Sequence, residues 1–160
     1  MKHLILFFLF FPGLATQASE GTQEKIQRYK PYIDSLSQVY GIPTKLIIGV
    51  GICESGFGQS KQSIKQYNYF GLRGKYSRKK KSSFKHYNRP EESMVDFCEV
   101  LASKKYYANL KGDPDPMKWT RAMAKARYAA NAKRWIRLMK KSFTLIWRQD
   151  ICFWLLFASF

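Results

Sequence analysis

Acidic side chains are scarce in this sequence: 11 aspartates and glutamates stand against 28 lysines and arginines in 160 residues, a formal charge of +17. That excess implies polyanionic surroundings, of which nucleic acid, an anionic membrane and an anionic wall polymer are the three common kinds. Cysteine is also rare. Cys53, Cys98 and Cys152 are odd in number and lack metal-type spacing, which argues against a disulfide framework and against a zinc site. Cys53 and Cys98 fall on apolar helix positions where a buried thiol is the ordinary state, with a bridge between them the lesser alternative. Histidine is limited to His3 and His86, so His86 has no companion with which to hold a metal, and no cofactor is called for. Long apolar runs are missing too. Leu4–Phe11 is too short to span a bilayer, as is Ile151–Phe160, where Arg148, Gln149 and Asp150 interrupt any longer span.

The first of those runs has a different meaning. Lys2 and His3, the uncharged stretch to Phe11, Pro12-Gly13 and the small residues Ala15 and Ala18 have the layout of a signal peptide over residues 1–18. The mature protein is therefore expected to be exported, to a periplasm, a cell envelope or the extracellular space, and export makes nucleic acid the least natural of the three polyanions. The remaining length fits one domain, expected over residues 24–142. An apolar tail, residues 143–160, follows, with membrane surface, the domain's own flank and an incidental extension as its open destinations.

Along the chain, Ile26, Tyr29, Ile33, Leu36 and Tyr40 recur at three- and four-residue spacing and predict a helix over about 24–40, which Pro31 either starts or kinks. Gly41-Ile42-Pro43 is a helix entrance, and Leu46 to Ile52 is apolar on every side, so the helix it opens is expected to be buried all round. Glu54 ends that helix, before Gly56 and Gly58 let the chain leave it. Low dielectric and the negative end of the helix both oppose ionisation there, so the Glu54 carboxyl is expected to hold its proton to higher pH than a free acid. Such a group is a proton donor usable near neutrality; the plain alternative is a glutamate emerging into solvent.

Ser60 caps a short helix reaching about Tyr67. Arg73 to Asn88 reads as a small basic β-hairpin in which Lys79, Lys80 and Lys81 are solvated and Phe84 to Tyr87 alternates like a strand. Pro90-Glu91-Glu92 opens a helix with Met94, Phe97, Cys98 and Leu101 on its apolar face. Asp115-Pro116 caps another, to about Ala126, burying Trp119, Met123 and Ala126. Asn131 caps the last, carrying Trp135, Leu138 and Met139.

Four segments in order, Tyr40-Gly41-Ile42-Pro43, Glu54-Ser55-Gly56-Phe57-Gly58, Asn68-Tyr69-Phe70-Gly71-Leu72 and Ala126-Arg127-Tyr128-Ala129, resemble the bacterial peptidoglycan glucosaminidase family of flagellar and autolysin type. The resemblance runs from about Tyr29 to Lys141. It implies a mainly α, lysozyme-like fold with a small β-hairpin lobe, and cleavage of β-1,4 bonds after N-acetylglucosamine in cell-wall glycan. On the matching motifs Glu54 and Tyr128 would be catalytic, Glu54 as general acid, and Ser55, Asn68, Phe70 and Tyr87 would bind substrate, with a core ring as the equal alternative for Phe70 and a tie within its own loop as the alternative for Asn68. The implied partners are peptidoglycan glycan strands and the anionic envelope surface, with no specific nucleic acid.

The chain also departs from the family pattern. The lobe, Arg73 to Arg89, contains no carboxylate, Arg127 stands where glycine is usual, and no proline follows Ala129. Two-carboxylate catalysis needs partners about 5–5.5 Å or about 6.5–9.5 Å apart; of the core acids Asp34, Glu91, Glu92, Asp96, Glu99, Asp113 and Asp115, none follows closely from sequence, and Glu91 and Glu92 at the hairpin's exit are the nearest, both explained as helix-start residues. The substrate's own 2-acetamido group is the alternative second participant. A lytic transglycosylase using the same acid, and a non-catalytic basic wall-binding module, are the competing functions.

Overall fold

A computed structural model describes residues 20–77 and 82–157. Its organising element is the apolar helix α2 (Thr44–Ser55), reached from α1 (Glu20–Tyr40). Leu46, Ile47, Ile48 and Val50 are all buried, as the all-round hydrophobicity predicts, and each such side chain contributes about 1.5–3 kcal/mol to stability. Pro43 precedes α2 with φ −58°, and the Thr44 hydroxyl donates to Asp34 Oδ1 at 2.7 Å, tying the start of α2 to α1. Pro31 lies inside α1, which continues through it.

After α2 comes α3 (Lys61–Gln66), where Ser60 Oγ accepts from the Ser63 N–H as its cap. Strands β1 (Arg73–Ser77) and β2 (Ser82–Phe84) pair antiparallel with an irregular register between Arg73↔Phe84 and Ser77↔Ser82. The second strand is shorter than the alternation to Tyr87 predicts. The Lys85 N–H still bonds Leu72 O at 2.9 Å, but the side chains of Lys85 and Tyr87 turn to Asp96. Lys79, Lys80 and Lys81, and the expected signal peptide, lie outside the described residues.

Helix α4 (Pro90–Ala102) buries Met94, Phe97, Cys98 and Leu101 as expected. A single-turn α5 (Tyr107–Leu110) leads to α6 (Pro116–Lys125), whose cap is Asp115 Oδ1 accepting from Met117 N–H at 2.7 Å. Trp119 and Met123 are fully buried, but Ala126 is exposed: α6 ends at Lys125, and Thr120 and Ala124 fill the inner face instead. Asn131 Oδ1 accepts from Arg134 N–H and opens α7 (Ala132–Phe157). Trp135 and Met139 are buried while Leu138 is 40% exposed, one position off the inward stripe that continues through Ser142, Phe143 and Ile146.

That stripe continues past residue 142, the expected end of the domain. Helix α7 runs unbroken past it, and Phe143 sits so close to α2 that a Cβ on Gly49 would lie 2.4 Å from its ring. Helices α1, α6 and α7 thus enclose α2, and α4 packs on α1. No helix of the described residues is long and apolar enough to cross a membrane. Cys53 and Cys98 are both free thiols.

Candidate active site

Helix α2 carries Glu54 in its last turn and is stopped one residue after Ser55, where Gly56 takes φ +62° and Phe57 φ +57°. Two successive left-handed residues reverse the chain, and the N–H groups of Gly56 and Phe57 fold back onto the carbonyls of Ile52 and Gly51. Ser55 holds this reversal in place. Its buried hydroxyl lies 2.7 Å from Tyr69 O and 3.1 Å from Gly51 O, and accepts from Gly58 N–H at 2.8 Å.

The Glu54 side chain reaches solvent, yet protein crowds it from several sides. Trp135 Nε1 of α7 donates to Oε1 at 3.0 Å. The other oxygen, Oε2, faces the turn at Gly71, where a Cβ would lie 3.7 Å away. Gly71 has φ +61°, a backbone conformation that glycine permits. Desolvation raises the Glu54 carboxyl above its ordinary value, and the Trp135 hydrogen bond opposes part of that rise. The direction matches the expectation from sequence.

Tyr128 lies across from the acid. Arg127, at φ +59°, kinks the loop after α6 so that Tyr128 N–H bonds Met123 O at 3.0 Å and its ring packs against Trp135, centroids 5.1 Å apart. Burial, and then the nearby Glu54 charge, push the Tyr128 hydroxyl well above its ordinary value, so it is a neutral phenol at physiological pH. Glu54 and Tyr128, 74 positions apart in sequence, therefore share one electrostatic neighbourhood.

The four residues expected to bind substrate are placed differently. Ser55, Asn68 and Phe70 are buried and act as supports. Asn68 donates to Leu72 O and Lys85 O and accepts from Leu72 N–H, so its amide closes the 68–72 turn and joins it to the lobe. Phe70 stacks on Phe97 of α4 at 4.3 Å and 8°, with no face left for a sugar. Tyr87 is half-buried, its hydroxyl donating to Asp96 Oδ2 at 2.5 Å; burial and that hydrogen bond raise it. Local turn chemistry wins over ligand contact at these positions, because a buried amide or hydroxyl is costly unless bonded.

Two further residues of this region take roles that only the fold assigns. Trp135 looks like one more member of an apolar helix face, and only the fold brings its N–H 81 positions back to Glu54. Asp96, on α4, supplies the lobe with the carboxylate that residues 73–89 lack, but Lys85 Nζ at 2.6 Å and Tyr87 occupy it. Among the described residues no three His, Cys, Asp or Glu side chains gather as a metal site requires. A separate concavity of about 360 Å³, lined by Ser37, Ile42, Pro43 and Asp113 among others, lies at the opposite end of α2 and shares no residue with the Glu54 cluster.

The mannosyl-glycoprotein endo-beta-N-acetylglucosaminidase family matches residues 30–144, which include every residue of this cluster. The chain belongs to this glucosaminidase family. It is a glycoside hydrolase. Its fold is similar to that of the glycoside hydrolase domain of Salmonella typhimurium FlgJ, with TM-score 0.68 and 21% identity over 86% of this chain and 96% of that one. It is also similar to the catalytic domain of the autolysin Auto from Listeria monocytogenes, with TM-score 0.60 and 21% identity over 83% and 89% of the two chains. A peptidoglycan hydrolase from Sphingomonas sp. A1 gives TM-score 0.60 and 19% identity over 79% and 94%. No curated protein sequence matches the chain. At these identities the structural likeness speaks for the mainly α fold with its two-stranded lobe.

Proposed function

We propose that this glucosaminidase is an exported peptidoglycan hydrolase that cuts β-1,4 bonds after N-acetylglucosamine, with Glu54 as the general acid. The observation that carries the reading is the Glu54 carboxyl itself: solvent-accessible on one side, raised by burial on the other, and fixed by Trp135 beside the neutral Tyr128 hydroxyl. A carboxyl so placed passes its proton to the glycosidic oxygen as the C1–O bond breaks, and the departing sugar leaves as an alcohol. The Tyr128 phenol is in the right neighbourhood to donate a hydrogen bond as charge develops. Solved neighbours that act on cell walls, an autolysin and a peptidoglycan hydrolase, support the choice of wall glycan. The excess of basic residues suits attraction to an anionic envelope.

The lobe's lack of its own carboxylate, with Asp96 engaged by Lys85 and Tyr87, favours the substrate's 2-acetamido group as the second participant. The same observation favours lytic transglycosylation as the second reading, in which no water enters. Digestion of purified peptidoglycan with mass analysis of the new ends tests both. Reducing ends support hydrolysis, 1,6-anhydro ends lighter by one water support transglycosylation, and intact glycan with wild-type protein refutes both.

A further inference from the structure

We propose that Trp135 is a positioning residue for the acid: its indole N–H claims Oε1 of Glu54 and leaves Oε2, which faces Gly71, as the oxygen that carries and delivers the proton. The inference rests on Glu54 being the general acid.

The assignment follows from donor chemistry. An indole N–H donates and has no lone pair to accept, so the oxygen it touches must present a lone pair in the protonated acid as well as in the carboxylate. With Nε1 at 3.0 Å from Oε1, that oxygen takes the carbonyl role, the stronger acceptor of the two in a protonated carboxyl, and the O–H bond belongs on Oε2. That oxygen faces Gly71, where a Cβ would lie 3.7 Å away, so the glycine adds no side chain beside it. Trp135 is 5% exposed and clamped between the core and the Tyr128 ring, so its N–H cannot swing away to water. The acid's conformation is thereby held without a second carboxylate.

The same contact changes character during the reaction. When the Oε2–H bond breaks and the proton moves to the leaving oxygen, Glu54 becomes an anion and the indole hydrogen bond becomes charge-assisted. Trp135 therefore holds the product carboxylate better than the starting acid, which makes Glu54 the stronger acid. Among the described residues, the other titratable groups that sense Glu54 are Cys53 on α2 and Tyr128 on the loop after α6, with Tyr106 near Tyr128. Burial pushes Cys53 to about 11 and Tyr106 to about 12, and Tyr128 higher than its ordinary value, so all stay neutral while Glu54 titrates.

The test replaces Trp135 in the full chain by phenylalanine and, separately, by benzothienylalanine, which keeps the indole's shape but has sulfur in place of N–H. Turnover of solubilised peptidoglycan is followed from pH 4 to 9, with Glu54→Gln alongside. The expected result for both replacements is a plateau kcat lower by about tenfold, KM within twofold, and an alkaline limb moved to higher pH. Benzothienylalanine preserves packing, so it reads the N–H even where phenylalanine unfolds the chain. An unmoved limb and unchanged kcat in that variant would overturn the proposal. Wild-type turnover in Glu54→Gln would instead overturn the acid assignment beneath it, and the two failures are distinct.

Discussion

Removing the Asn68 amide tests whether this residue supports the site or touches the glycan. Asn68→Ala deletes two donations, to Leu72 O at 2.9 Å and Lys85 O at 3.0 Å, and one acceptance, from Leu72 N–H at 3.0 Å. Leu72 O keeps a partner, since Lys85 N–H also bonds it at 2.9 Å. Leu72 N–H and Lys85 O lose the partner Asn68 provided. At about 1 kcal/mol for each of the three lost bonds, the loss comes to about 3 kcal/mol. For a chain of this length that is a fall in Tm of roughly 6–12 °C. Urea denaturation should show a lower midpoint with an unchanged slope, the signature of altered stability rather than altered compactness. At a temperature where the variant remains folded, KM for glycan should stay within about twofold of wild type, because the amide is buried and both its N–H groups are already engaged. A stability loss below about 1 kcal/mol together with a tenfold rise in KM would refute the structural reasoning and return Asn68 to the substrate surface.

Glu54→Gln should lower turnover by about 10²–10⁴-fold, measured by release of new glycan ends, since the shape is kept and the proton is lost. The same variant should gain stability over wild type as pH rises. Because the folded-state acid is raised, the folded form binds more protons above the unfolded value, so wild-type stability falls through the folded pKa while glutamine is indifferent; equal pH profiles in thermal melts would contradict this. Tyr128→Phe should reduce kcat more than KM, because a neutral phenol contributes where charge develops; unchanged kcat at normal stability would place its hydroxyl outside the reaction. Phe143→Ala should cost about 3–5 kcal/mol in chemical denaturation, as a ring pressed against Gly49 leaves a cavity; a loss under about 1 kcal/mol would show that the domain ends before it.

What the sequence by itself determined was everything that depends on neighbours along the chain. Proline and glycine bracket α2 at Pro43 and Gly56, Ser60, Asp115 and Asn131 cap their helices, and the inward faces of α1 and α4 follow their three- and four-residue spacing. The raised acid was legible for the same reason, since an apolar run ending in one carboxylate states its own desolvation. The ends of inward faces were not, because a helix stops facing the core where its neighbour stops. Ala126 falls outside and Phe143 and Ile146 inside according to how far α6 and α7 run along α2, which no local spacing encodes. Only the tertiary structure decided which side chains serve the acid. For Phe70 a core ring and a sugar platform, and for Asn68 a loop tie and a cleft wall, were equally open along the chain; packing against α4 and the lobe buries both, with Ser55, and burial obliges the polar atoms of Asn68 and Ser55 to bond backbone. Trp135 has the opposite history: an apolar ring by its spacing, it acquires a polar task because α7 crosses α2 where the helix ends, setting one indole N–H 3.0 Å from Glu54.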